Sequence, residues 1–358
     1  MERLGLVGLP NAGKTSLFNA LTGAEAPVAT HPFTTTESSV AVATVPDARL
    51  EALAAMSASK KVVRTGVEVV DIAGLVAGSS TGEGLGNRFL AGIREVDALC
   101  LVLRSFDDPE VVGEGDPVAA LGTLELELVL ADLATVEAQL DKRRKAARAD
   151  KSLAAEVAAI ERAHEALQAG TPLYRAGLPA DDRELRRNLF LLTDKPVLVV
   201  VNLGEDQVEK AETVVDPVAA ELGGHGEVLG VSVQLEAEAA RLEPAERAEL
   251  LQGLGLGEGA LARVAAAAYH LLGRRIFFTT GDKESRAWSF RDGATAPECA
   301  GVIHSDLQRG FIRAEVIHWD ELLQAGSWAA AKSAGRIRLE GKDYKVLDGD
   351  VLEIRFNV

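Results

Sequence analysis

The chain has 358 residues, 47% of them hydrophobic, and a formal net charge of -16. That length and apolar content support two or three domains with their own cores. The acidity argues against loose, whole-surface attraction to nucleic acid, and the absence of an 18-residue apolar run argues against a membrane span. The first predicted strand begins within a few residues of Met1, which leaves no room for a secretory signal. The two cysteines, Cys100 and Cys299, have no CxxC or histidine neighbour at ligand spacing. A structural zinc site is therefore not expected, and a reducing cytoplasm fits.

The organising stretch runs from Leu4 to Ala20. Leu4 to Val7 reads as a short buried strand. Gly8-Leu-Pro-Asn11-Ala12-Gly13-Lys14-Thr15 matches G-x-x-x-x-G-K-[ST] at every fixed position, and Leu17, Phe18, Ala20 and Leu21 begin a helical apolar pattern. Strand, glycine-rich turn and helix is the context in which this motif cradles phosphate. Glycines let backbone N–H groups turn inward, and the helix N-terminus adds its dipole. Lys14 would reach the β- and γ-phosphates, and the Thr15 hydroxyl would hold Mg²⁺.

Next come Thr30-His31-Pro32-Phe33-Thr34-Thr35-Thr36, a loop by its proline and hydroxyls. In a nucleotide switch such a loop supplies a second hydroxyl to Mg²⁺. Thr35 is the choice, with Thr34 and Thr36 as near alternatives, and an ordinary Thr-rich loop as the plain one. Val40–Val45 alternates as a strand. Val67–Asp71 is an apolar strand ending in Asp71-Ile72-Ala73-Gly74. Asp71 would reach Mg²⁺ through water, and the Gly74 N–H would meet the γ-phosphate. A segment with glycines at 78, 82, 84 and 86 follows, suited to ordering by that phosphate. Position 75 is Leu, where Ras-like switches have a glutamine that orients the attacking water. A leucine side chain has no hydrogen-bonding group, so basal hydrolysis is expected to be slow.

Ala98–Arg104 reads as a fourth strand. Leu126, Val129, Leu133, Val136 and Leu140 step by three and four, as do Leu153, Val157, Ile160, His164 and Leu167. Two heptad seams predict an antiparallel helical hairpin. Its tip, Lys142 to Lys151, carries six cations in ten residues. That tip is either a solvated helix surface or a contact for RNA phosphate. His164 reads as a core or edge residue. Pro196–Asn202 is a fifth, fully apolar strand, ending Asn202-Leu203-Gly204-Glu205. Guanine-specific switches place N-K-x-D here, and the Asp pairs with the guanine N1 and N2 hydrogens. Leu203 replaces Lys and Glu205 replaces Asp, so the basis of guanine selection is missing unless a shifted loop uses Asp206. Glu227–Val233 is a sixth strand, with Ser232 to Glu236 a weakly marked base-side loop.

From Arg274 the texture changes. Strands are predicted at Arg275–Thr280, Ala287–Phe290, Phe311–Ile317, Tyr344–Leu347 and Val351–Phe356, with a short helix from Ala296 to Ile303. This fits a small β-grasp-like binding module.

Taken together, G-L-P-N-A-G-K-T-S, H-P-F-T-T, D-I-A-G-L-V, G-E-G-L-G-N-R-F-L, N-L-G-E and the C-terminal R-A-W-S-F-R-D-G-A-T-A-P-E-C-A-G and D-G-D-V-L-E-I-R-F-N-V resemble the YchF subfamily of Obg-like P-loop NTPases. The resemblance covers essentially the whole chain. It implies an α/β fold: a doubly wound P-loop NTPase sheet over residues 1–274, an inserted antiparallel coiled coil over 118–190, and a β-grasp TGS domain over 275–357. It also implies a cytoplasmic, monomeric, ribosome-associated protein that prefers ATP to GTP, needs Mg²⁺ and hydrolyses slowly. Basic tip and TGS domain are the implied routes to ribosomal RNA. Carried over, Asn11, Ala12, Gly13, Lys14, Thr15 and Ser16 bind phosphate, Thr15 and Thr35 coordinate Mg²⁺, and Leu203 contacts the purine beside Asn202, Glu205 and Ser232. Two features depart from the family pattern. Ala12 and Thr15-Ser16 stand where Val and Ser-Thr are common. Phe106–Pro117 is short and lacks the histidine that relatives are proposed to use in place of the missing glutamine. His31 is the substitute in this chain, beside Lys14 and the Gly74 backbone.

Overall fold

The structure, a computed structural model, describes residues 2–26, 39–72, 85–107, 115–254 and 259–357. In chain order the elements are β1 (Arg3–Val7), α1 (Lys14–Thr22), β2 (Ser39–Thr44), α2 (Ala48–Met56), β3 (Val62–Val63), β4 (Gly66–Asp71), α3 (Leu85–Arg94), β5 (Ala98–Arg104), α4 (Pro117–Ala149), α5 (Ala154–Gln168) and α6 (Ala180–Leu185). Then follow β6 (Val197–Asn202), α7 (Ala211–Leu222), β7 (Glu227–Val231), α8 (Val233–Ala239), α9 (Pro244–Gly253), α10 (Ala260–Leu271), β8 (Arg274–Thr279), β9 (Ser285–Arg291), α11 (Ala296–Ile303), α12 (Ser305–Arg309), β10 (Phe311–His318), α13 (Trp319–Ala325), α14 (Trp328–Ser333), β11 (Arg338–Glu340) and β12 (Asp350–Phe356). They fall into two compact units. Met1–Ala43 and Glu68–Ala268 form one, and Thr44–Val67 with Tyr269–Val358 form the other.

The first unit is built on a sheet of order β2-β4-β1-β5-β6-β7. β4, β1, β5, β6 and β7 pair in parallel, with Leu4 opposite Val69 and Ala98, and Val199 opposite Leu101 and Val228. Every residue of β5 and of β6 is buried, which is why these strands read as unbroken apolar runs. Parallel order brings the C-terminal ends of β1, β4, β5 and β6 to one edge, where ligands of open α/β sheets bind.

α4 is one helix of 33 residues. Asp116 caps it by accepting from the Val118 and Ala119 amides, and Pro117 occupies the first turn, where its missing N–H costs nothing. Its N-terminal half buries Leu121, Leu124, Leu128 and Ala131 in the same core as Leu101 and Val199. From Val129 onward the helix also turns a second face to α5, packing Val129, Val136 and Leu140 with Ile160, Ala163 and Leu167. The predicted seam therefore fails at its first position. Leu126 is 53% exposed, because the helix faces the sheet core there rather than a partner helix. The hairpin turns at Asp150, whose carboxylate accepts from the Ser152 amide at 2.9 Å. His164 lies at the hairpin edge, 3.7 Å from Glu137. Asp132 fastens the insertion to the chain entering β6. Buried at 1% exposure, it accepts from the Leu192 amide at 2.8 Å and from the Thr193 amide and hydroxyl, each at 2.7 Å.

The second unit carries a sheet of order β11-β10-β12-β8-β9-β3. β12 and β8 pair in parallel between antiparallel neighbours. α11 starts at a capping box in which Glu298 accepts from the Thr295 amide at 2.7 Å. It packs Ala296, Cys299 and Ala300 on Phe277, Phe290, Phe311 and Leu352. Residues 344–347 form no strand, contrary to the pattern-based expectation. Their backbone instead serves the start of α11: the Ala296 amide donates to the Tyr344 carbonyl at 2.8 Å and the Val346 amide to the Ala294 carbonyl at 3.0 Å. β3 and α2 join this unit from between β2 and β4. Val62 and Val63 pair in parallel with Ser285 and Arg286. Arg49 of α2 bonds Asp348 at 2.6 Å and lies 5.2 Å from the Phe278 ring centroid. Among the described residues no helix is long and apolar enough to cross a membrane.

Candidate nucleotide-binding site

The residues between β1 and α1 form a tight loop whose shape depends on its glycines. Gly13 caps α1 with φ 93°, and Asn11 is also left-handed at φ 60°. Asparagine is among the few non-glycine residues that tolerate this. Left-handed residues on both sides of Ala12 fold the loop back on itself, and the Ala12 amide donates to the Leu9 carbonyl at 3.3 Å. Gly8 is required by a close approach, since a Cβ there would stand 2.5 Å from the Val102 carbonyl oxygen of β5.

Lys14 opens α1 and is buried. Its Nζ donates to the Gly8 carbonyl at 3.1 Å and to the Leu9 carbonyl at 3.0 Å. Burial pulls its pKa down to about 8, opposed by the Asp71 carboxylate. A desolvated ammonium held on two carbonyls is poised for an anion that would return its charge partner. One residue on, the Thr15 hydroxyl donates to Asp71 Oδ2 at 2.6 Å. Burial raises the Asp71 pKa, while the Thr15 hydrogen bond and Lys14 lower it. A hydroxyl and a carboxylate oxygen brought together beside a phosphate loop are hard oxygen donors, the set that suits Mg²⁺. Ser16, the third residue of α1, is half-buried.

Asn202, at the end of β6, ties three elements together. Its Nδ2 donates to the Ala12 carbonyl at 3.1 Å, and its Oδ1 accepts from the Val233 amide of α8 at 3.2 Å. A Cβ on Gly13 would overlap that same Nδ2. Leu203 puts its side chain into the sheet core, and its amide donates to the Val231 carbonyl at 2.9 Å. What it can offer a base is therefore backbone. Glu205 is exposed at the start of a 3-10 turn, Glu205–Lys210. Ser232 immediately precedes α8, buried, with no partner for its hydroxyl among the described residues. β7 ends at Val231, so Val233 begins a helix instead of closing the strand expected to reach it. Thr35 with its neighbours Thr34 and Thr36, and also His31, Gly74 and Leu75, lie outside the described residues.

Sequence reasoning missed Ser105 and Gln207. Ser105 follows β5, and its amide donates to the Asn202 carbonyl at 3.1 Å. Gln207 reaches back to it from the turn after β6. No local motif marks either residue; only the parallel register of β5 and β6 brings them together.

Similarity to known proteins agrees with this geometry. A family model described as 50S ribosome-binding GTPase matches residues 3–121, and the C-terminal model of YchF GTPases, described as a protein of unknown function, matches residues 275–357. The ribosome-binding ATPase YchF of Bacillus subtilis is 45% identical over 99% of both chains, and that of Escherichia coli O157:H7 is 42% identical over 99% of both. The chain belongs to the YchF family. A solved YchF structure, the YchF GTPase of Schizosaccharomyces pombe, superposes with a TM-score of 0.86 at 31% identity, covering 99% of this chain and 97% of that one. The YchF likeness thus spans both compact units, and the Lys14–Thr15–Asp71 arrangement belongs to a P-loop NTPase fold.

Proposed function

We propose that this chain is a ribosome-associated NTPase that binds ATP with Mg²⁺ and hydrolyses it slowly, acting as a nucleotide-dependent switch in the cytoplasm. The observation that carries the reading is the 2.6 Å contact between Thr15 and Asp71, one residue from a buried, desolvated Lys14. The loop amides of Asn11 to Ser16 and the Lys14 ammonium bind the triphosphate and stabilise charge on the transferring phosphoryl group. Thr15 and Asp71, the latter through water, would hold Mg²⁺, with Thr35 as the second hydroxyl, and the bound ion would supply charge neutralisation to the phosphates. Gly74 is assigned to the γ-phosphate and His31 to the water-positioning role that Leu75 cannot fill.

Asn202, Leu203, Glu205 and Ser232 form the purine side. With the Asp of N-K-x-D replaced by the longer Glu205 and its Lys by Leu203, adenine is the preferred base. The relatives' names, ribosome-binding ATPase, support both halves of the reading. The G domain is assigned to 1–274, with the coiled coil inserted at 118–190 and the TGS domain at 275–357; the protein acts as a monomer. Titration with fluorescent ATP and GTP analogues tests the proposal. ATP is expected to bind more tightly. Tenfold tighter GTP, about 1.4 kcal/mol, would overturn the adenine assignment. The second reading, a GTPase of the same fold, is favoured by the S. pombe relative's name as a GTPase and by the N-terminal family's description as a ribosome-binding GTPase.

Contact with ribosomal RNA is assigned to the hairpin tip and to the TGS domain. At the tip, Arg143 pairs with Glu156 and Arg144 with Glu161, each at 2.9 Å. Each arginine bridges α4 to α5 across the hairpin. Lys142, Lys145, Arg148 and Lys151 are the exposed cations that remain for phosphate.

A further inference from the structure

One side-chain amide, that of Gln207, ties the loop that follows β6 to the end of β5. Gln207 Oε1 accepts from the Gly204 amide at 2.9 Å and from the Ser105 hydroxyl at 2.7 Å. Gln207 Nε2 donates to the Ser105 carbonyl at 2.9 Å. The Ser105 hydroxyl also lies 3.0 Å from the Asn202 carbonyl. Gln207 therefore clips residues 202–204 to the end of β5 and at the same time occupies the Gly204 N–H. The loop has little room to relax, since a Cβ at Gly204 would stand 2.8 Å from Asp206 Oδ1 and 3.2 Å from Phe106 Cβ.

We propose that Gln207 is a positioning residue that sets the purine preference of this site. The inference rests on the reading that the 202–205 loop receives the base. Guanine presents an acceptor, O6, where adenine presents a donor, the N6 amino group. A backbone N–H free to face the base would serve O6 and repel the amino group. Holding the Gly204 N–H on Gln207 withdraws one such donor, so the loop favours adenine by denying guanine a partner. Discrimination through a withheld contact does not require any side chain to touch the ring.

The experiment measures Kd for ATP and for GTP, each with Mg²⁺, in the full-length wild type and in Gln207→Ala, Gln207→Met and Gln207→Glu. In the Ala and Met variants the ratio Kd(GTP)/Kd(ATP) is expected to fall about three- to tenfold, the range of one hydrogen bond to a base edge. In the Glu variant, which keeps an acceptor for the Gly204 amide but sets a carboxylate oxygen where Nε2 donates to the Ser105 carbonyl, the ratio is expected to fall less than in the Ala and Met variants. A merely structural role would weaken both nucleotides together and leave the ratio unchanged; that result in a folded variant overturns the proposal. Should Gln207→Ala fail to fold, Gln207→Met, of nearly equal length, carries the test. A wild type that binds neither nucleotide refutes the functional reading itself, an outcome distinct from an unchanged ratio.

Discussion

Asn202, at the end of β6, grips the loop between β1 and α1, its Nδ2 donating to the Ala12 carbonyl at 3.1 Å and filling the space a Gly13 side chain would need. Gly13→Ala would meet that amide and would also have to adopt φ 93°. The left-handed backbone alone costs a non-glycine residue about 1–2 kcal/mol. The variant is expected to lose nucleotide affinity more than tenfold and to melt earlier, measured by titration and by thermal denaturation.

Lys14 predicts a pH dependence with a definite sign. In the free protein its pKa lies near 8, below the ordinary 10.5, so above pH 8 the folded chain carries a neutral amine. A bound triphosphate favours the charged form and raises that pKa, so binding above pH 8 takes up a proton. Affinity for ATP should therefore fall as pH rises from about 8 towards 10, by at most about tenfold per pH unit, and be flat below 8 as far as this group is concerned. Lys14→Met should bind weakly and lack the slope. For folding without nucleotide, the same depressed pKa means that the cost of burying the charged amine is fully present below pH 8. Stability should rise as pH climbs from 8 to 10.5.

Thr15 and Asp71 should act as a pair. Thr15→Ala is expected to raise the Mg²⁺ concentration needed for half-maximal ATP binding about tenfold or more and, by stripping a hydrogen bond from the buried Asp71, to lower the melting temperature of the free protein. Asp71→Asn should give the same direction of change. Titrating Mg²⁺ at fixed ATP checks both, and an unaltered Mg²⁺ requirement in Thr15→Ala would remove the residue from the metal site.

Asp132 supports the helical insertion by accepting from two buried amides. Asp132→Ala leaves the Leu192 and Thr193 N–H groups without that acceptor, at a cost of about 2–4 kcal/mol. Urea denaturation should show this loss, with nucleotide affinity changed far less than stability.

At the hairpin tip, the double variant Lys145→Glu, Arg148→Glu should weaken co-sedimentation with ribosomes severalfold and leave the melting temperature unchanged. Arg144→Glu breaks the partly exposed pair with Glu161, worth under about 1 kcal/mol, and mixes a hairpin effect with any RNA effect. Unchanged pelleting of the Lys145/Arg148 variant would exclude the tip as a docking surface.

What could be read from sequence was what chemistry fixes locally. The strand, glycine-rich turn and helix around Gly8, Gly13, Lys14 and Thr15 were legible because the motif needs that context at set spacing, and Asp71 because it closes an apolar strand. β5 and β6 were legible because burial on both faces leaves unbroken apolar runs. Failures came where tertiary contacts decide. Tyr344–Leu347 has the composition of a strand, but its backbone bonds to residues 294 and 296. Leu126 keeps a heptad step, but the helix faces the sheet core there. The bonds between Ser105 and Gln207 span 102 positions and carry no motif, and no local pattern announces that the Asn202 amide also braces the loop at Ala12 and the start of α8.

The placement of residues 44–67 bears on how the protein can be dissected. A fragment beginning at Arg275 keeps the strands of the C-terminal sheet except β3, and it leaves behind the arginine that sits over Phe278. Such a piece would present the bared edge of β9 to solvent, an invitation to pair with another copy. Aggregation of the excised piece would then report on where it was cut, and an intact C-terminal module would have to carry residues 44–67 with it, as a separate strand-helix peptide supplied in trans or by circular rearrangement of the gene.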